Sequence, residues 1–227
     1  IITTKKGKKD GRTSVSYSGY VAWDRTLKTL DMMTADELLS YAKTNNITQL
    51  NDYYNVDNPA NTNWQDEVLR TGFSHNHNVS INGGNEKTNY SASLNFQDRE
   101  GVVRGTNMDR LNARTFVQTK ALNNRLELAL SLNASIRNSS TGPTDIQGRS
   151  VLDAMYYYNP LVPVKNEDGT WYRNLNISQN YNPLSMINED RYDTKEKLLQ
   201  GTAQATLHII DGLDWNLNLS YQNQQYI

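Results

Sequence analysis

Between Leu126 and Ile136 the chain reads Leu-Glu-Leu-Ala-Leu-Ser-Leu-Asn-Ala-Ser-Ile. Apolar residues fall on every second position across the whole stretch. That period belongs to a strand and to no helix. It sets Leu126, Leu128, Leu130, Leu132, Ala134 and Ile136 on one face and Glu127, Ser131, Asn133 and Arg137 on the other side. The same alternation recurs over 13–23, 73–82, 88–98, 107–121, 197–210 and 213–225, which predicts seven strands. Short turns separate some of them: Gly83-Gly84-Asn85-Glu86-Lys87, Leu122-Asn123-Asn124 and Asp211-Gly212, all hairpin compositions. The other connections are longer, at 24–72, 99–106 and 138–196. Short and long connections in turn are what an up-and-down sheet with one plain rim and one elaborated rim gives.

Helical signals are confined to the long connections. Thr34-Ala35-Asp36-Glu37 has the capping-box pattern. Asn63 is positioned to cap a helix through Arg70, and Ser150 with Asp153 to cap one through Tyr158, ended by Asn159-Pro160. "NEDGTW", 166–171, is a hairpin tip.

An alternating strand is usually the half-wet strand of a soluble sheet. Three features favour a membrane barrel instead. Most of these strands reach ten residues or more, against a usual 5–6; ten residues, tilted, cover roughly the 25 Å apolar band of an outer-membrane barrel. The apolar face has no long amphipathic helix to cover it, and lipid supplies that cover. Aromatics gather near strand ends, at Trp23, Phe73, Tyr90, Phe96, Trp215 and Tyr221, as in barrel girdles. No run approaches the ~18 apolar residues of a helical span. The mean hydropathy of −0.75 tells against a helical membrane protein without bearing on a barrel.

The net charge of −1 offers no field for nucleic acid, and the absence of cysteine removes disulfides and thiolate metal sites. His75 and His77 share a strand face but lack further metal ligands; interfacial histidines beside Phe73 are the plainer reading. Asn and Asp clusters at 51–63 and 166–168 offer oxygens to Ca2+, yet lack the regular ligand spacing of a calcium loop and read as turns. No cofactor is expected beyond that. N-x-S patterns at Asn78, Asn133, Asn138, Asn176 and Asn218 follow from the pleat and are not read as glycosylation sites. Tyr156, Tyr157, Tyr158, Trp171 and Tyr172, in the longest connection, suit contact with a ligand or partner, against the alternative of packing within the loop. Asn89, Ser91, Ser93, Asn95, Arg110, Arg114 and Arg137 fall on polar faces and are expected to line a lumen, the arginines pairing with Glu127. No nucleophile–base set or phosphate loop supports an enzyme.

Two stretches carry a family resemblance. "IITTKKGK", 1–8, resembles the last plug strand of TonB-dependent outer-membrane transporters of the SusC/RagA branch. "NWQDEVLRTGFSHNHNVSINGGNEKTNYSASLNFQDREGVV", 63–103, resembles that branch's entry into its second and third barrel strands, and "GTNMDRLNARTFVQTK", 105–120, continues it. The likeness covers roughly residues 1–137. It implies a 22-stranded transmembrane barrel with an N-terminal plug, of which residues 1–12 are the end of the plug and its linker and 13–227 the first barrel strands. It implies uptake of oligosaccharides or peptides driven by the TonB complex, a SusD-like surface lipoprotein as partner, outer-membrane lipid around the wall, and residence in the outer membrane of a Gram-negative, Bacteroidetes-like bacterium. It also orients the chain, with the long connections outside the cell. Both ends of the sequence look cut, so a piece of something larger is expected. The alternative is a soluble or surface β-rich carbohydrate-binding module.

Overall fold

The computed structural model describes residues 11–142, 150–175, 177, 181–190 and 192–227. Seven strands form one antiparallel sheet in chain order: β1 (Ser14–Asp24), β2 (Gly72–Gly84), β3 (Thr88–Glu100), β4 (Asn107–Ala121), β5 (Leu126–Thr141), β6 (Tyr192–Ile210) and β7 (Leu213–Tyr226). They run from 11 to 19 residues. Every neighbour in sequence is a neighbour in the sheet, which is the meander that alternating short and long connections require. The sheet is open, with β1 and β7 at its edges. The β2–β3 turn is built by Asn85, whose side chain accepts from the backbone N–H groups of Lys87 and Thr88. In the β4–β5 turn Leu122, Asn123 and Asn124 all take positive φ. Asn123 and Asn124 suit this turn, because asparagine is among the residues other than glycine that enter that region most readily.

The sheet has almost no buried core of its own. Buried apolar side chains cluster instead in the long connections: Trp64, Val68, Val151, Met155, Tyr158, Val162, Leu184 and Met186. All but Tyr158 and Val162, which follow the second of them, come from three short helices, α3 (Trp64–Val68), α4 (Val151–Tyr157) and α5 (Pro183–Glu189), which pack on one another above one rim. Two more, α1 (Ala35–Thr44) and α2 (Leu50–Tyr53), complete the first connection.

The predicted capping box of Thr34 with Glu37 forms, and the cap expected from Ser150 with Asp153 is a second such box. Asn63 caps α3 through Gln65 N–H, but the helix stops at Val68, short of the expected Arg70. Arg70 is drawn out of helix: its Nε and Nη2 donate to the carbonyls of Gly101 and Thr106, and Nη1 lies 3.6 Å from Glu100. Helix α4 ends one residue early, with Tyr158 as its C-cap. Strands β5 and β6 extend beyond the expected ends at Arg137 and Lys197, to Thr141 and back to Tyr192. Beyond the apolar stretch, polar residues continue the ladder, so the alternation of hydrophobicity stops before the hydrogen bonds do. The connections accordingly shrink to 25–71 and 142–191. Helices α2 and α5 were not expected. The signal for α5 is present as Asn182 before Pro183, an N-cap followed by proline at the first helical position.

Candidate functional site

The register sorts the sheet into two faces. One carries Val15, Tyr17, Val21 and Trp23 on β1, Phe73, Val79 and Ile81 on β2, and so on through Leu217 and Leu219 on β7. These residues stay exposed, Val15 at 70% and Leu219 at 59%. The apolar face is thus uncovered over its whole width among the described residues.

Its shape is informative. One row of cross-strand partners starts at Val15, the lowest apolar residue of β1, and passes through Ile81, Ala92, Thr115, Leu132 and Gly201. It ends at Tyr221, the highest apolar side chain that β7 carries on this face. The apolar stretch therefore steps down by about eight residues over six pairings, the distance from Val15 to Trp23. At ~3.3 Å per residue and ~4.8 Å between strands, a level band requires a strand tilt of roughly 40°. Outer-membrane barrels tilt their strands by about 35–45°.

Aromatics mark this face. Trp23 packs on Phe73 with ring centroids 5.5 Å apart. Tyr17 hydroxyl and His77 Nδ1 are 2.7 Å apart, and His75 lies between Phe73 and Phe96. The histidines are therefore partners of aromatics, and among the described residues no group of three metal-ligating side chains forms. Two tyrosines also fold over glycines: the hydroxyl of Tyr90 occupies the space a side chain at Gly83 would need, and that of Tyr17 does so at Gly19. Tyr90 is fixed there by a 2.6 Å bond with Thr13.

The opposite face is polar and lines a concave trough of about 1110 Å³. The register places Asn89, Ser91, Ser93, Asn95, Arg110, Arg114 and Arg137 together on this face. Amides link across strands: Asn76 with Asn95, and Asn112 to Asn133 to Gln200 to Gln222. Charges sit toward the two ends. Near the elaborated rim Arg99 meets Asp24 at 3.5 Å, Arg137 meets Glu196 at 3.0 Å, and Arg110 donates to Gln97. Near the plain rim Lys120 meets Glu127 at 2.7 Å and His208 meets Asp214. The expected pairing of the arginines with Glu127 does not form, because Lys120 stands directly opposite Glu127 on β4. Asn89 is on the expected face but buried at 6% exposure, so it packs rather than lines open space.

Above the elaborated rim, the three long connections interlock into a cap. Trp64 Nε1 donates to Asn159 carbonyl, Thr62 Oγ1 to Val162 carbonyl, and Arg104 Nε to Glu67 carbonyl. Of the five aromatic contact candidates, Tyr157 is 74% exposed and Tyr156 is partly exposed. Tyr158 is a correction: it is buried, edge-on to Trp64 at 4.8 Å, and its hydroxyl donates to Tyr172 carbonyl. Burial, with the nearby Tyr172 and Tyr54, pushes its phenol well above the usual tyrosine range. Trp171 is covered on one face by the Lys165 ammonium, 4.4 Å from the ring centroid. Asn166 and Asp168 act as turn residues: Asp168 accepts from Thr170 N–H and hydroxyl, which holds its carboxyl below the usual range. Asn176 lies outside the described residues. A smaller cavity of about 410 Å³ lies in the cap, lined by Leu30, Met32, Met33, Trp64 and Met155 among others.

Long tilted strands, one level apolar face, an opposite polar face and a rim elaborated on one side define a wall segment of a transmembrane up-and-down β-barrel. The comparisons narrow that class. No family model matches the chain. It is 35% identical over 192 residues to the TonB-dependent receptor SusC of Bacteroides thetaiotaomicron, covering 80% of this chain and 18% of that protein. It is 26% identical to TonB-dependent receptor P3 of Formosa agariphila, over 99% of this chain and 22% of the relative. In fold it matches the RagAB peptide importer in its closed-closed and open-open states, each with a TM-score of 0.73, at 19% and 20% identity, covering 97% of this chain and 29% and 28% of those chains. The chain belongs to the SusC/RagA family of TonB-dependent receptors, and it spans about a fifth of the length of the curated relatives it matches. These relatives are named as receptors, not as enzymes.

Proposed function

We propose that this chain supplies part of the wall and outer rim of an outer-membrane transporter that imports oligosaccharides or peptides. In this reading lipid meets the apolar face, the polar face meets the lumen, and the cap lies outside the cell. The tight turns then face the periplasm, where Gly11 N–H bonds to Gly84 carbonyl and brings the chain in from a plug ending near residue 12. Residues 1–10, assigned to that plug from the sequence, lie outside the described residues. TonB would act through the plug, and a SusD-like lipoprotein would close the outer side, with the exposed Tyr156 and Tyr157 among its candidate contacts. No calcium or other cofactor has a role in this scheme.

The observation that carries the reading is the apolar band: it stays uncovered across seven strands and levels at the tilt a barrel needs. A soluble sheet would have to bury that face, since each large apolar side chain gains ~1.5–3 kcal/mol by burial. The test uses the intact natural protein in its own host. Recovery in the outer-membrane fraction and dependence on detergent are expected, together with TonB-dependent uptake of a labelled oligosaccharide or peptide. Full solubility of the intact protein without detergent overturns the reading.

A further inference from the structure

The pairings of this sheet are not all fixed in the same way. Tight turns set β2 on β3, β4 on β5 and β6 on β7, and the short loop 101–106 sets β3 on β4 through the bond of Gly101 N–H to Thr106 carbonyl. Strands β1 and β2 are joined only by 25–71, and β5 and β6 only by 142–191, connections too long to impose a register. Glycine follows the same division. The glycines inside strands are Gly19 on β1, Gly72, Gly83 and Gly84 on β2, and Gly201 on β6, and all belong to those two pairs. Gly19, Gly83 and Gly201 lie on the apolar face, each under a large side chain.

Both tyrosine contacts end on a neighbouring strand. The Tyr17 hydroxyl passes over Gly19 to His77, which stands directly opposite that glycine on β2. Tyr90 reaches from β3 across Gly83 of β2 to Thr13, the residue before β1. On β5 and β6, Leu132 lies against Gly201, its Cδ2 3.2 Å from where a Cβ would stand, and on the next rung Ala134 faces Leu199. From this geometry we infer that Tyr90 and Tyr17 lock the register of β1, selecting the one pairing that no turn selects. The smallest slip that keeps every side chain on its face is two residues. Slid one way, β1 brings Val15 to Tyr90 and Val79 opposite Gly19, and both bonds are lost. Slid the other way, it brings Gly11 to Tyr90 and His75 opposite Gly19. Tyr17 then finds a second histidine, and only the Tyr90 bond is lost. Tyr90 therefore opposes both slips, and Tyr17 only the first. Tyr90 serves as the reference because the turn built on Asn85 already fixes its strand on β2. The inference needs the barrel wall alone and stands apart from the transport reading.

The test reads register by disulfide formation in the full-length receptor assembled in its own host. Cysteine pairs go on the polar face, away from both tyrosines. Ser16→Cys with Ser80→Cys reports the native register. Ser16→Cys with Asn78→Cys reports the slip that puts His75 opposite Gly19, and Ser18→Cys with Ser80→Cys the slip that puts Val79 there. Diagonal neighbours in the native register sit about 7–8 Å apart, beyond disulfide reach. The receptor with both tyrosines is expected to cross-link the native pair, with the slipped pairs as minor products quantified by mass spectrometry. Tyr90→Phe keeps the ring over Gly83 and removes the hydroxyl. It is expected to raise both slipped products about fivefold, the ratio that one net hydrogen bond controls. Thr13→Val cuts the same bond from the other end and is expected to do the same, so it decides if Tyr90→Phe does not assemble. Tyr17→Phe is expected to raise only the slip with Val79 opposite Gly19. Slipped products that stay at the wild-type level in Tyr90→Phe or Thr13→Val overturn the inference. So does a Tyr17→Phe receptor that raises both slips alike, or neither. Disulfide mapping needs no substrate, so failure of the lock and failure of uptake are read separately.

Discussion

Leu130 and Ser131 are neighbours in the chain and face opposite ways in the sheet. Leu130 pairs with Val117 and Ala203 on the apolar face, and Ser131 with Phe116 and Thr202 on the polar one. Arginine at position 130 would place a charge against hydrocarbon and is expected to destabilise the full-length protein in lipid by about 2–4 kcal/mol. Arginine at 131, facing the trough, is expected to stay within about 0.5 kcal/mol of wild type. Denaturant titration in vesicles reads both, and equal penalties would contradict the assignment of the faces. At this scale the sequence was informative about direction and poor about partners. Period-two spacing placed all of Asn89, Ser91, Ser93, Asn95, Arg110, Arg114 and Arg137 on one face, because the pleat alone decides that. It missed Lys120 as the partner of Glu127, since partners depend on the register between strands. It also missed the burial of Tyr158, which depends on a helix arriving from a connection 90 residues away.

Among the elements, the capping boxes were the most legible, because each is closed within four residues. Helix α1 shows what the cap interaction does. Thr34 N–H and hydroxyl both donate to Glu37, at 2.8 and 2.9 Å, and hold its carboxyl below the usual glutamate range. A depressed carboxyl stabilises at pH values above its unfolded value, and the contribution is lost as pH falls through the lowered native value. Amide exchange over 35–44 in the full-length receptor, corrected for its intrinsic pH dependence, is therefore expected to hold steady from neutral pH down to the ordinary glutamate range and to accelerate below it. Thr34→Ala should bring the faster exchange to neutral pH, with a loss of about 1 kcal/mol of local stability. Acceleration already at pH 6 would mean another group controls this helix. The ends of β5 and β6 were less legible for a physical reason: a strand leaving an apolar band keeps its hydrogen bonds but loses its alternation, so Asn138 to Thr141 and Tyr192 to Glu196 look like loop.

For the molecule as a whole, the separation of sheet from core has a measurable effect. The wall is held by ladder hydrogen bonds and its surroundings, whereas the cap has its own apolar core around Trp64 and Met186. Trp64→Ala in the full-length receptor is expected to remove about 3–5 kcal/mol from the cap. Cap amides would then exchange far faster, while the heat-dependent gel mobility of the folded barrel stays unchanged. Loss of both together would show that cap and wall fold as one unit. The downward step of the apolar stretch, about eight residues across the sheet, also bears on how such a wall is assembled. A hairpin joined two residues out of place keeps every side chain on its proper face, so inside/outside alternation cannot detect the mistake. The step detects it, because the misplaced strand would lift leucines into the headgroup layer and pull asparagine or glutamine into hydrocarbon. The thickness of the bilayer thereby proofreads the pairing of each strand as it is added.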